Sequence, residues 1–259
     1  MKIKFMKINI LIPYKEMFDK KKASSVSITV KNNLKYSKYL DYIEIFGKYT
    51  ENPLFRNNFV GIKYNFWSLQ SRNRYLTSRM LKIITKRNDN NQIIEIHNRP
   101  YLVEQIFNKT KKIPVTLFLH NDPREMKGSK SIFERKKIID SCAGIFCVSQ
   151  YIKDQFLSGI CNDGQKVHVL YNGVNRRLKE VPIKKKEILF VGRIVPEKGV
   201  DLYVDVISQI AKEFPDWKFG LIGSFKLGEI NSMNTYTSIT VKKFTDIGSQ
   251  AIFYGFKDN

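Results

Sequence analysis

Apolar and polar positions along this chain follow two alternating rhythms. Short apolar runs at 7–12, 42–46, 92–96, 115–119, 144–148 and 167–170 have the length and continuity of buried strands. Between them, apolar residues recur every three or four positions, as one face of a helix requires. Val26, Val30 and Leu34 mark such a face within 25–40, and Leu69, Leu76, Met80, Ile83 and Ile84 mark another within 69–86. Shorter helices are predicted at 101–107 and 150–157. Residues 50–65 are polar and aromatic without clear period and predict no element. Strand and helix in alternation predict an α/β fold whose parallel sheet is covered on both faces.

The rhythm lapses after the turn Tyr171-Asn172-Gly173, where Gly supplies the positive φ a tight turn needs. Residues 176–187, RRLKEVPIKKKE, are basic, contain a proline and have no apolar period, so they read as a linker. The expected division is a first domain at 1–175, the linker at 176–187 and a second domain at 188–259. The second domain opens on a strand at 188–191. A helix with Tyr203, Val206, Ile207, Ile210 and Phe214 on one face follows, then strands at 217–222 and 252–256. Three strands and one helix cannot cover both faces of a doubly wound sheet. The second domain is therefore expected to be incomplete, either because it is abbreviated or, the preferred reading, because the chain is a fragment.

Composition adds two constraints. Hydrophobic residues make up 42% of the 259, enough for packed cores and against disorder. Lys and Arg number 45 against 24 Asp and Glu, leaving +21, which attracts nucleic acid, an anionic bilayer or phosphorylated substrates. The competing reading is a surface of solvated lysines, since the charge is spread along the chain rather than gathered in blocks. Cys142, Cys147 and Cys161 are an odd number without CxxC spacing and read as buried thiols of a reduced cytosolic protein, not a disulfide frame or a zinc site. No apolar run approaches the roughly 20 residues of a spanning helix. The N-terminal MKIKFMKINILIPY lacks a small-residue cleavage site and reads as a first strand.

The densest chemistry lies in EILFVGRIVPEKGVDLYVDVISQIAKEF, residues 187–214. A strand runs into Gly192-Arg193, then a loop, then Lys198-Gly199 at the head of a helix. Backbone N–H groups and the helix dipole favour an anion at such a place. The spacing is neither a Walker loop nor GxGxxG. Two cations five positions apart suit a diphosphate, with Arg able to bridge two oxygens and Lys acting as a point charge. If the diphosphate departs, both stabilise the charge that builds on it. The alternative is a glycine turn with solvated cations. His120-Asn121-Asp122 and His97-Asn98-Arg99-Pro100 each close a buried strand, where ligand crevices of α/β folds lie. Pro100 also suits the first position of a helix. His168 sits within an apolar strand and reads as structural.

Taken together, these segments resemble the family 4 retaining glycosyltransferases of the GT-B fold. ILFVGRIVPEKGVDL is similar to that family's donor-phosphate motif. VHVLYNGVN (167–175), GIFCVSQYIKDQF (144–156), IIEIHNRP (93–100) and LFLHNDP (117–123) are similar to its other segments, in the same order. The resemblance implies two Rossmann-like domains and transfer of a sugar from a nucleotide-sugar donor, UDP- or GDP-linked, with retention and without a metal or other cofactor. The acceptor it implies is a glycan or lipid-linked molecule, in cell-envelope polysaccharide or lipopolysaccharide biosynthesis. By position, Gly192, Arg193 and Lys198 would hold the donor diphosphate. His120 would lie beside the reacting sugar as the catalytic candidate, and His97, Asn98, Asn121 and Asp122 would be cleft contacts. The family's glycine pair after the first strand is replaced here by Lys22-Ala23-Ser24-Ser25, so Ser24 and Ser25 are the candidates to offer backbone N–H groups there. The acidic pair that grips the donor sugar would lie beyond residue 259, and the polypeptide alone is expected to be inactive.

Two alternatives compete. The basic, aromatic run 63–79 (Tyr64, Phe66, Trp67, Arg72, Arg74, Tyr75) suits single-stranded nucleic acid, although no RRM, KH or helix-turn-helix pattern is present. The basic face of the helix at 69–86 (Arg72, Arg74, Arg79, Lys82, Lys86) would allow a cytoplasmic protein to lie peripherally on an anionic membrane. An ordinary sheet-covering helix with a solvated face explains the same residues.

Overall fold

The computed structural model describes residues 6–87, 89, 91–110, 113–161, 164–174, 180, 182–224 and 235–257. The chain divides into two compact units, 1–175 and 176–259. The first contains β1 (Lys7–Leu11), α1 (Ser25–Lys35), β2 (Ile43–Lys48), β3 (Phe59–Ile62), α2 (Arg72–Thr85), β4 (Gln92–His97) and α3 (Val103–Thr110). It continues through β5 (Val115–Leu119), α4 (Ile132–Ser141), β6 (Gly144–Cys147), α5 (Gln150–Leu157) and β7 (Val167–Val169). The strands form one sheet in the order β3-β2-β1-β4-β5-β6-β7, every neighbouring pair parallel. The winding reverses between β1 and β4, so the crevice of this sheet lies at the C-terminal ends of those two strands.

Strand alternation decides what each face buries. Ile94, Ile96, Leu117, Leu119, Ile145 and Cys147 point into a core with Leu76, Met80, Leu81 and Ile84 of α2, Ile106 of α3, Ile138 of α4 and Phe156 of α5. On the opposite face, Ile10, Ile12, Ile43 and Ile45 pack against Val30 and Leu34 of α1 and against Phe18. Farther along that face the cover thins. Glu95, Phe118 and Phe146 are half-buried and His168 is exposed. His97, Phe118, Phe146 and His168 are cross-strand partners and form a ladder of rings with centroids 4.9, 4.8 and 5.7 Å apart. His168 is therefore a surface residue at the end of an aromatic row, not the buried position its apolar neighbours suggest.

The second unit has β8 (Glu187–Val191), α6 (Val200–Ile210), β9 (Lys218–Ile222), α7 (Thr235–Thr245) and β10 (Ala251–Gly255), with the parallel order β10-β9-β8. Val200, Val204, Ile207 and Ala211 meet Phe219, Leu221 and Phe244 in its core. The other face shows Leu189 46% and Val191 71% exposed. A parallel sheet normally has both faces covered.

Several elements depart from the sequence expectation, each for a local reason. α2 begins at Arg72, not at 69, because Ser71 is extended and the Tyr64 hydroxyl holds the Gln70 carbonyl at 2.8 Å in a turn. Leu69 is consequently fully exposed rather than part of the buried stripe. In α6, Val204 turns inward while Val206 is nearly half-exposed, since the phase is set by Val200 after the left-handed Gly199 (φ 67°); the helix ends at Ile210, so Phe214 lies outside it. Cys161 is exposed, unlike the buried Cys142 and Cys147. α1 ends at Lys35, five residues early. Three elements have no counterpart in the periodicity: the edge strand β3, the charged α4 and the threonine-rich α7, which buries Thr237, Thr240 and Phe244.

Candidate functional site

In the first unit, the ends of β4 and β5 are joined by one residue. Asn98 follows β4 with φ +49°, the one non-glycine positive φ among the described residues, and is 6% exposed. Asn tolerates this region better than most residues, and such conformations concentrate at ligand sites. Its backbone N–H donates to Phe118 O (2.9 Å), and its Oδ1 accepts the His120 backbone N–H (2.8 Å). Its Nδ2 donates to Asn121 Oδ1 (2.8 Å), and its carbonyl accepts from Arg99 Nη1 (2.6 Å). The bent backbone thus fixes the start of the His120-Asn121-Asp122 loop.

That junction presents three titratable groups in a line. Glu95 and His97 lie two residues apart on one face of β4, and Glu95 Oε1 is 2.7 Å from His97 Nε2. His97 Nδ1 is 2.9 Å from His120 Nε2, and the two rings lie 5.2 Å apart and nearly parallel. His97 is 1% exposed. Burial, with His97 adding to it, pushes the His120 pKa down to about 3, so this ring is neutral at pH 7. The line permits two proton arrangements. With one proton on His97, its Nε2–H donates to Glu95 and its Nδ1 accepts from His120 Nε2–H, leaving His120 Nδ1 as an acceptor. With both His97 nitrogens protonated, His120 Nε2 accepts and Nδ1 becomes an N–H donor. Which arrangement holds decides whether His120 offers an acceptor or a donor at its other edge.

Asp122 is committed elsewhere. It caps the turn Pro123–Glu125, accepting from the Arg124 N–H (2.9 Å), from the Arg124 guanidinium (3.2 Å) and from the Tyr151 hydroxyl (3.2 Å). Burial alone would raise its pKa, but these hydrogen bonds hold it below the usual carboxylate range. Asn121 is exposed and tied to Asn98. Of the candidates at these two strand ends, His120 keeps a ring nitrogen without a partner among the described residues.

At the end of β1, Ser24 is the N-cap of α1, its Oγ accepting the Ser27 N–H at 3.2 Å. Ser25 is the first helical residue and is exposed. Residues 20–22, all lysine, wrap Asp19, which accepts the N–H groups of Lys21 (2.8 Å) and Lys22 (3.1 Å) and the Thr50 hydroxyl. This helix start is therefore cationic, with the Ser24 hydroxyl already used as a cap.

In the second unit, Gly192 follows β8 with its N–H on Ile222 O (2.9 Å), and Ile194 N–H bonds Ser224 O (3.0 Å). A Cβ on Gly223 would stand 1.8 Å from Gly192 O, so the two strand ends approach as only glycine allows. After the turn Pro196–Lys198, Gly199 starts α6 in the left-handed region with open space around it, so conformation rather than room demands glycine there. Arg193 and Lys198 are exposed and have no ion pair or hydrogen bond through their side chains among the described residues. One feature competes at this helix start. Asp201, hydrogen-bonded by the Tyr236 hydroxyl (2.9 Å) and by the Leu202 N–H, already occupies part of the first turn with negative charge. The attraction for an anion therefore rests chiefly on Arg193 and Lys198.

Sequence reasoning missed Glu95, Gly223 and Asp201. The i, i+2 spacing of Glu95 and His97 was the available signal for the first. The Gly223 contact depends on how two strands pair and leaves no local trace. No grouping of three or more His, Cys, Asp or Glu suited to a metal ion occurs among the described residues.

Known proteins resemble this chain in sequence and in fold. The profile of Glycosyltransferase Family 4 matches residues 44–178, and that of Glycosyl transferases group 1 matches residues 174–259. An uncharacterized glycosyltransferase of Methanocaldococcus jannaschii is 38% identical over 117 residues, covering 44% of this chain and 31% of that protein. Spore coat protein SA of Bacillus subtilis is 29% identical over 164 residues, covering 56% of this chain and 42% of that protein. The matches thus span less than half the length of these relatives. Among solved structures, Anabaena HepE in complex with UDP-glucose aligns with a TM-score of 0.66 at 14% identity, over 98% of this chain and 70% of that one. A UDP-forming trehalose-phosphate synthase from Burkholderia xenovorans aligns with 0.65 at 14% identity, over 99% and 74%. These likenesses establish the GT-B type of α/β fold. Because the family profile covers more than half of the chain, the chain belongs to glycosyltransferase family 4.

Proposed function

We propose that this chain carries the acceptor-side domain and part of the donor domain of a glycosyltransferase that uses a nucleoside-diphosphate sugar. The observation that carries the reading is the pair Arg193 and Lys198. Both are free of ion pairs among the described residues and lie just after β8 and just before α6, within the segment matched by the group 1 profile. Each supplies what a departing diphosphate needs: bidentate donors from Arg and a point charge from Lys. In the reaction, the acceptor hydroxyl oxygen bonds to the anomeric carbon while that carbon's bond to the diphosphate breaks. The electron pair leaves on the diphosphate, and the acceptor's proton ends on the departing phosphate oxygen. We assign retention of configuration to this step. Arg193 and Lys198 act on the growing charge. His120, kept neutral, is the group of the first unit assigned to a sugar hydroxyl, with Glu95 and His97 setting its tautomer.

Anabaena HepE, which shares the fold, is solved in complex with UDP-glucose, and we assign UDP first and GDP second to this chain. We assign to it a cytoplasmic role in building envelope polysaccharide. We further propose that these 259 residues are inactive alone, since the bare face of the β8–β10 sheet asks for cover by further structure. Saturation-transfer NMR with UDP- and GDP-sugars tests the donor reading: signals from the nucleotide are expected, and their absence for every donor would remove it. Sugar transfer by the isolated chain would contradict only the claim of inactivity.

A further inference from the structure

The loop between β3 and α2 places three apolar side chains in water: Phe66 is 81% exposed, Trp67 92% and Leu69 105%. The loop is nevertheless tightly built. The Tyr64 hydroxyl donates to Gln70 O (2.8 Å) and lies 3.3 Å from Ser68 O. The Trp67 N–H donates to Asn65 Oδ1 (3.0 Å), the Ser68 N–H to Asn65 O (3.0 Å) and the Gln70 N–H to Ser68 Oγ (3.2 Å). The Tyr64 ring packs edge-on against Tyr14, Phe66 and Tyr75, at 5.9, 5.6 and 5.2 Å. A network that holds three large apolar groups outward marks a contact surface.

Cations flank this tip on two sides. Lys48 and Arg72 each lie 5.4 Å from the Tyr14 ring, and Lys63 lies 4.5 Å from Tyr49. On the other side, a groove of about 670 Å³ is lined by Leu69, Arg74, Tyr101, Gln105, Lys109 and Lys127, with no carboxylate among its described lining residues. Lys127 stands 5.6 Å over Tyr101. Its position is fixed because Gly128, at φ +87°, packs so close to Tyr101 that a Cβ would come within 2.6 Å of backbone. Arg74 and Lys109 make no ion pair among the described residues.

We propose that this loop and groove dock the first unit onto an anionic phospholipid bilayer. Phe66, Trp67 and Leu69 enter the interface, and Arg74, Lys109 and Lys127 meet headgroup phosphates. Aromatic and aliphatic tips ringed by Lys and Arg match the layered chemistry of that interface: apolar chains below, anionic phosphates above. A nucleic acid would use the cations and the rings, but the fully exposed Leu69 offers no ring to stack on and suits an acyl layer. The surface is thus the loop and groove, not the length of α2, whose Arg79, Lys82 and Lys86 lie farther along the helix.

Flotation of the whole chain with phosphatidylcholine vesicles, with and without phosphatidylglycerol, tests this without any sugar transfer. A protein carrying R193Q/K198Q serves as control and floats like wild type, so the outcome is separate from the donor reading. Binding is expected at low salt with anionic vesicles only. In a W217F background, Trp67 emission shifts to the blue on binding. The charge variant R74Q/K109Q/K127Q lowers the partition coefficient about a hundredfold, and F66S/W67S/L69S abolishes flotation. All six positions are at the surface, and circular dichroism confirms that the variants fold. Absence of flotation at low salt would overturn the proposal. So would undiminished flotation of the F66S/W67S/L69S protein, or sedimentation showing that the tip instead joins two copies of the chain.

Discussion

Replacing Asn98 probes the junction on which the first unit's candidate site depends. Asn98→Ala removes the bonds to Asn121 Oδ1 and to the His120 N–H, both 2.8 Å long and within the fold. Two such bonds contribute about 2 kcal/mol net. The backbone at φ +49° adds about 1 kcal/mol against a residue with a plain Cβ. The expected loss is thus about 3 kcal/mol, or about a hundredfold in local opening. Asn98→Gly removes the same bonds without the backbone cost and should lose about 1 kcal/mol less. Asn98→Asp retains an acceptor for the His120 N–H and should lose least of the three. Urea titration followed by far-UV circular dichroism gives the global values, and amide exchange in β4 and β5 locates them. The reasoning fails if Asn98→Gly is as harmful as Asn98→Ala, or if Asn98→Ala costs under about 1 kcal/mol.

Three further predictions follow from the same geometry. Folded His120 has its pKa near 3 against an ordinary 6.5, so the unfolded chain takes a proton that the fold refuses. Stability should fall by about 1.4 kcal/mol per unit as pH drops from 6.5 toward 3, and His120→Asn should flatten that slope in pH-dependent urea titrations. Glu95→Leu leaves the buried His97 Nε2 without its acceptor, and ¹⁵N NMR of the imidazoles should show His97 and His120 exchanging tautomers; unchanged shifts would refute the relay. Gly223→Ala forces a Cβ against the Gly192 carbonyl. It should lower the second unit's stability by more than about 2 kcal/mol, with amide protection in β4 and β5 unaltered.

Legibility of the fold followed the strength of the periodic signal. β5 and α5 stand where the pattern puts them, because their apolar positions are dense and bounded by polar turns. β3 and α7 were invisible for opposite reasons. β3 is a four-residue edge strand, only one of whose residues, Ile62, is buried. α7 is built from Thr and Ser, whose helix preference is weak, and is held by packing that its sequence does not announce. The same contrast holds at the site. His97, His120, Arg193 and Lys198 could be named because strand ends and glycine turns are local features. The contact of Glu95 with His97 is open to a reading of strand alternation, whereas that of His97 with His120 depends on how β4 and β5 pair, which a single sequence does not display. Leu69 shows the limit of periodicity: its spacing fits α2, but the Tyr64 hydroxyl holds the preceding turn outside the helix.

The central claim is that Arg193 and Lys198 hold the diphosphate of a sugar donor. Isothermal titration of UDP into the wild-type chain and into R193Q and K198Q proteins tests it most directly. A charge-assisted hydrogen bond contributes about 1.5–3 kcal/mol, so each substitution should weaken UDP binding by about ten- to a hundredfold. His120→Asn, in the first unit, should leave UDP affinity as it is. UDP binding that survives both substitutions, or single-stranded oligonucleotide binding that Arg193 and Lys198 support in place of UDP, would contradict the account.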